Sequence, residues 1–262
     1  MVPARAEPLP EFVEFEAPDA WGAIDFISDL HLSQALPRTF EAWRRHLLGT
    51  PADAVVILGD LFELWVGDDA RHQGFAAQCA EVLAEAARRR TVALMVGNRD
   101  FLVGRELLDS CGVRALPDPT LLRAWGQRLL LTHGDALCLA DVDYQAFRRQ
   151  VRSAEWQAAF LARPLAARFE VARTLRRASA ERRRFDGDPS LDIDKEEAAR
   201  WLRAARASTL VHGHTHRPAS DLVAPGLARH VLSDWDLDEP PPRAQVLRLT
   251  RASVERLGPV AA

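Results

Sequence analysis

Apolar residues in this chain come as short unbroken blocks separated by longer amphipathic stretches. "WGAIDFIS", "DAVVIL" and "TVALMV" are blocks of the first kind, rich in Ile, Val and Leu. Runs like these predict strands buried on both faces. Between them, "PRTFEAWRRHLLG" and "GFAAQCAEVLAEAARRR" repeat apolar positions at three and four. Pro37 opens one of these stretches, Gly49 ends it, and arginines close the other, as expected of helices. "GRELLDSCG" predicts a further short helix stopped by Gly112. Strand, helix, strand, helix, strand, helix argues a parallel sheet with helices on its faces.

The rhythm then changes. "VRAL", "TLLRAW" and "RLLLTH" are short strand patterns, the last two joined across Gly126-Gln127 as a hairpin. Residues 141–206 read as mostly helical and rich in Arg. "STLVHGH" returns to a buried strand, and "DLVA", "ARHVL", "RAQVLRL" and "ASVERL" predict antiparallel strands. The expected organisation is a tail or edge segment over residues 1–20 and one mixed α/β domain over 21–262, with a helical insertion at about 141–206.

Composition narrows the setting. With 262 residues, 48% hydrophobic and 27% charged, the chain can bury one sizeable core. A net charge of −3 offers no basic excess for nucleic acid, and none is expected as a partner. Cys79, Cys111 and Cys138 are odd in number and form no CxxC pair, which argues against a disulfide framework and suits a reducing compartment. The N-terminal residues lack an apolar signal core, and no window approaches about 18 apolar residues, so a cytoplasmic protein is expected.

The candidate chemistry lies just beyond the apolar blocks. "AIDFI" is followed by Asp29 and His31, "VVIL" by Gly59-Asp60, and "VALMV" by Gly97-Asn98-Arg99-Asp100. "LLLT" is followed by His133-Gly134-Asp135, and "STLV" by His212-Gly213-His214-Thr215-His216. In open α/β sheets the carboxyl ends of strands are where ligands bind. Carboxylate, amide oxygen and imidazole suit Mn, Zn, Fe or Mg. So many donors fit two ions better than one, and a pair about 3.5–4 Å apart suits in-line phosphoryl displacement. The glycines allow tight turns and close backbone approach. Taken singly, Asp29 or Asn98 could be a cap and His133 a core histidine. Spacing alone does not choose among His212, His214 and His216.

The ordered set D-x-H, G-D, G-N-R-D, H-G-D and G-H-T-H resembles the calcineurin-like metallophosphoesterase family. That resemblance implies a β-sandwich flanked by helices. It implies that Asp29, His31 and His216 hold one divalent ion, that Asn98, His133 and His214 hold a second, and that Asp60 bridges them. It leaves His212 outside the ligand set.

"GNRD", "LGDLFELWVGDD" and "HGDALCLADVDYQAFRR" are similar to the branch of that family that hydrolyses UDP-2,3-diacylglucosamine during lipid A assembly. This implies two ions, most commonly Mn2+, and a helical lid for the acyl chains. It also implies a lipid-linked UDP-sugar substrate met at the cytoplasmic face of the inner membrane. Asp60, Arg99 and His214 become candidate catalytic residues; Asn98, Arg99, Asp141, Ser179, Arg183 and His214 become candidate substrate contacts. Arg183 stands where the branch has an amide, and Asp186 where it has an amine.

Between residues 145 and 184 there are eleven Arg and no Lys against three Glu. Leu161, Leu165 and Phe169 follow at helical spacing, predicting one apolar stripe. Phe62, Glu63, Leu64 and Trp65 are expected to wall the pocket, and Asp100 and Asp135 to orient loops or imidazoles. Two other functions share these motifs: a different dinuclear phosphoesterase, and a binding scaffold without chemistry.

Overall fold

A computed structural model describes residues 8–183 and 192–260, without the side chains of 175–183. Strands β2 (Ala23–Ile27), β3 (Ala54–Leu58), β4 (Thr91–Met95) and β5 (Arg114–Leu116) form a parallel array. β11 (Val246–Thr250) and β12 (Val254–Leu257) extend it antiparallel beyond β2, giving six strands. The second six-stranded sheet runs β1 (Val13–Glu16), β6 (Thr120–Ala124), β7 (Gln127–Thr132), β8 (Thr209–His212), β10 (Leu227–Val231), β9 (Ala219–Ala224). Residues 13–16 therefore form an edge strand, paired in parallel with β6.

The period of two along each strand sorts the core into layers. Val56 and Leu58 of β3 and Ala93 and Met95 of β4 face Leu122, Leu129, Leu131 and Val211 of the other sheet. Val55, Ile57, Val92 and Leu94 point outward, beneath α1 (Pro37–Gly49), α2 (Gly74–Ala87) and α3 (Arg105–Cys111). On the far face of the second sheet, Leu121, Leu130 and Leu210 pack against Trp201 and Leu202 of α7 (Lys195–Ala204). Each layer is apolar on both faces, which is why the runs read as continuous.

The insertion begins with α4 (Val142–Val151), α5 (Ala154–Leu161) and α6 (Leu165–Arg183). Phe160 and Ala172 join the core that α1–α3 cover, and Trp156, Leu165 and Phe169 pack against it. The apolar stripe expected of one helix is split. Leu161 ends α5 and Leu165 opens α6, because Pro164 disfavours a helical Arg163 and lacks an amide hydrogen. The β6–β7 turn also differs from expectation. It is Trp125-Gly126, one residue early, with both φ angles positive (50° and 79°), the geometry that follows strand twist.

Candidate dinuclear metal centre

The loops leaving β2, β3, β4, β7 and β8 converge on one edge of the sandwich. Their backbones are woven together: Asp29 N–H donates to Gly59 O, His31 N–H to Asp60 O, and Gly213 N–H to His133 O. Five of the seven candidate ligands take left-handed backbone: Asp29, His31, Asp60, His214 and His216, with φ between 48° and 67°. Non-glycine residues hold that conformation at a cost of about 1–3 kcal/mol each, and it persists where surrounding structure enforces it. Two glycines allow the crowding. A Cβ on Gly97 would fall inside the Asp60 carboxylate, and one on Gly213 inside the Asp29 carboxylate.

Two groups of side chains face each other there. In the first, His31 Nε2 lies 3.3 Å from His216 Nε2, and His216 Nε2 lies 3.2 Å from Asp29 Oδ1. In the second, Asn98 Oδ1 is 2.9 Å from both His133 Nε2 and His214 Nδ1. Asp60 stands between them, with Oδ2 3.9 Å from His31 Nε2 and Oδ1 3.7 Å from His133 Nε2. Asp29, Asp60 and His133 also bring ligand atoms within 4.8 Å of one another. Asp29, Asp60 and His133 are fully buried; the other four are half-buried and form the open side. His212 points elsewhere, its Nδ1 against Gly213 O.

The donor set fits divalent cations. Asp60 Oδ2 is buried, with no hydrogen-bond donor among the described residues. Such an oxygen is costly unless a cation meets it. Two imidazole nitrogens aimed at one point, as in His31 and His216, suit a shared ion. Burial would depress the His133 imidazole, yet the Asp60 and Asp29 charges hold it at about 9. The same anionic field favours a dication. Burial, with His133 beside it, lowers His214 to about 3, leaving a neutral ring with a lone pair to offer.

Surrounding groups fix these rings and loops. His133 Nδ1 sits 2.9 Å from Leu58 O, which leaves Nε2 for the site. Asp100 accepts from the backbone N–H groups of Gly97 (2.7 Å), Leu61 (2.8 Å), Phe62 and Asp60. Burial first, then the Asp60 charge, raises it to about 6. Asp135 accepts from Tyr144 Oη (2.6 Å) and Arg148 Nε (2.8 Å). Burial pushes that carboxyl up, but Arg152 and Arg148 bring it well below the usual range.

Three residues do more here than their sequence positions announce. Glu63 lies 3.0 Å from His31 Nδ1 and sets that ring's direction. Tyr144, the sole tyrosine, stacks on His214 at 5.9 Å. Arg152 donates to Gly97 O at 2.9 Å and so ties α4 to the loop of Asn98 and Arg99. Being the only tyrosine was a signal available in the sequence; the other two depend on tertiary contact. Phe62 and Trp65 are core residues, their tilted rings 4.5 Å apart and almost fully buried.

Arg99 is anchored by its backbone, whose N–H donates to Asp60 Oδ1 at 2.8 Å. Its buried Nε finds no acceptor among the described residues. Asp141 spends one carboxylate oxygen on capping α4, accepting from Tyr144 N–H at 3.0 Å. Ser179 and Arg183 lie on α6 where side chains are outside the described residues, as is Asp186.

The family model for calcineurin-like phosphoesterases matches residues 22–218. Three curated relatives, each called UDP-2,3-diacylglucosamine hydrolase, match most of the chain. The protein from Ralstonia nicotianae is 43% identical over 240 residues, covering 87% of this chain and 89% of its own. That from Chromobacterium violaceum is 45% identical over 221 residues, covering 81% and 90%. That from Bordetella pertussis is 40% identical over 243 residues, covering 89% and 94%. With its seven candidate ligands gathered at the strand ends of a helix-flanked sandwich, the chain belongs to the calcineurin-like phosphoesterase family of metal-dependent phosphoesterases.

Proposed function

We propose that the chain hydrolyses the diphosphate of UDP-2,3-diacylglucosamine, releasing UMP and 2,3-diacylglucosamine 1-phosphate, as a step of lipid A biosynthesis. One observation carries this reading: an arginine with an unsatisfied buried N–H stands directly beside a two-lobed carboxylate, amide and imidazole cage. The identity to UDP-2,3-diacylglucosamine hydrolases over most of both chains supports the same substrate.

Asp29, His31 and His216 would hold one ion, Asn98, His133 and His214 the other, and Asp60 both. Two divalent ions, Mn2+ in our reading, would supply Lewis acidity and a water acidified to near-neutral pH. Glu63 keeps His31 turned inward, and the Leu58 carbonyl does the same for His133. Arg99 offsets the charge that grows on the diphosphate as the uridyl-side phosphorus is attacked. Its very high pKa makes it a poor proton donor, and the departing lipid phosphate is weakly basic enough to leave without one.

Within the helical insertion at about 141–206, α4 to α6 would supply the lid that receives the acyl chains, with Asp141, Ser179 and Arg183 as candidate contacts to the sugar and phosphates. No helix among the described residues is long and apolar enough to cross a membrane, and we assign the chain to the cytoplasmic surface of the inner membrane as a peripheral protein.

The test is UMP release from UDP-2,3-diacylglucosamine with Mn2+ and with chelator, beside simpler nucleotide diphosphates and a generic phosphodiester. Metal-dependent release, fastest on the diacyl substrate, is expected. Faster turnover of the simpler compounds would transfer the chain to another phosphoesterase activity, and no turnover of any would make it a scaffold.

A further inference from the structure

The loop that starts at Asp60 ends nine positions later in a contact with the inserted helices. Arg168 of α6 is almost fully buried (3% exposed). Its guanidinium engages Asp69 through two nitrogens, Nη1 at 2.9 Å from Oδ1 and Nη2 on Oδ2. Nη1 also donates to Val66 O at 2.5 Å, and Nε donates to Arg163 O at 3.0 Å. One side chain thus grips both the turn between α5 and α6 and the loop after Asp60.

Gly67 makes the seat. Its φ of 128° is open to glycine alone, and a Cβ there would strike the Arg168 guanidinium and come within 2.8 Å of Leu161 Cδ2. Beyond the latch the loop is pinned to the body. Asp68 accepts from Trp65 Nε1 (3.0 Å), Gly104 N–H (2.9 Å) and Leu107 N–H (2.9 Å). Trp65 N–H in turn reaches Arg99 O at 3.4 Å.

We propose that Arg168 and Asp69 are positioning residues: their bidentate pair, seated on Gly67, fixes the α5–α6 turn against the loop that runs on from Asp60 and touches the Arg99 backbone, and so sets how tightly the lipid portion of the substrate is held. A bidentate Arg–carboxylate pair gives direction as well as attraction, which a single apolar contact does not. The lid's kinetic consequence rests on the proposed reaction; the docking of the hairpin does not.

Two variants separate these. Asp69→Asn removes the charge on the more exposed partner, and Arg168→Met removes the buried cation while keeping an apolar stem. In each, amide exchange in α5 and in residues 165–174 should rise about tenfold or more, with β3 and β4 unchanged. On UDP-2,3-diacylglucosamine, KM should rise about tenfold with kcat within about twofold. Mn2+ affinity and turnover of a small chromogenic phosphodiester should be unaltered. Unchanged exchange in α5 and α6, or an equal rise in β3 and β4, overturns the latch whatever the substrate proves to be. Locally raised exchange with KM unmoved overturns its role in holding the lipid. If wild-type protein hydrolyses the small diester and not the lipid nucleotide, the proposed substrate fails, and the exchange result still decides the latch.

Discussion

At the scale of single residues, the site is a set of constraints on where each side chain can be. Arg99 contributes a charge that no described residue satisfies at Nε, while its backbone fixes Asp60. Arg99→Ala should therefore lower turnover about 100-fold or more, with metal content by elemental analysis unchanged. Preserved turnover would remove Arg99 from the chemistry. Glu63 touches no phosphate in this reading and acts through His31. Glu63→Gln should weaken metal binding about 10–100-fold, read by direct Mn2+ titration of the folded protein. Gly97→Ala, although conservative by composition, drives a methyl into the Asp60 carboxylate and should abolish metal retention. Arg99 and Asp60 stand out in the sequence because their types follow buried strands in a fixed order. Glu63 was legible only as a neighbour of Asp60, since its role is a direction set by the fold.

At the scale of elements, most helices and strands announced themselves through burial on both faces, and the exceptions have identifiable causes. Pro164 divides what spacing alone presents as one stripe. Asp25 is the other departure, a fully buried carboxylate in the middle of β2. Arg248 stands opposite it on β11 with Nε at 2.7 Å, and Thr50 and His46 approach from the end of α1. Burial opposes ionisation, but the Arg248 hydrogen bond, followed by His46 and Thr50, lowers the carboxyl from 3.8 to about 2. A lowered carboxyl stabilises the fold above the unfolded-state value, and that stability is lost as pH falls toward the folded-state value. The shift corresponds to about 2 kcal/mol near neutral pH, falling to about half by pH 3. Asp25→Asn should lose stability of that order in urea unfolding at pH 7, and the gap from wild type should narrow as pH drops from 5 to 3.

At the scale of the whole molecule, two parallel arrays from separate sheets present their carboxyl ends along one edge, and the cage exists only because they meet. Metal binding should couple to global stability. Saturating Mn2+ at about 100 times Kd adds about 2.7 kcal/mol, so melting should rise about 5–10 °C over chelated protein by calorimetry, with turnover restored in parallel. The sequence by itself determined the element types, the class of core and the order of donor residues, because burial and ligand chemistry are written in residue identity and local spacing. Only the tertiary structure decided which sheet each strand joined, that residues 13–16 form an edge strand, and which donors face one another. It also decided that Asp141 caps a helix and that arginines such as Arg152 and Arg168 clamp loops. Those outcomes depend on backbone left in strained left-handed turns and on contacts across more than a hundred residues, and no local pattern of polar and apolar positions encodes a distance of that kind.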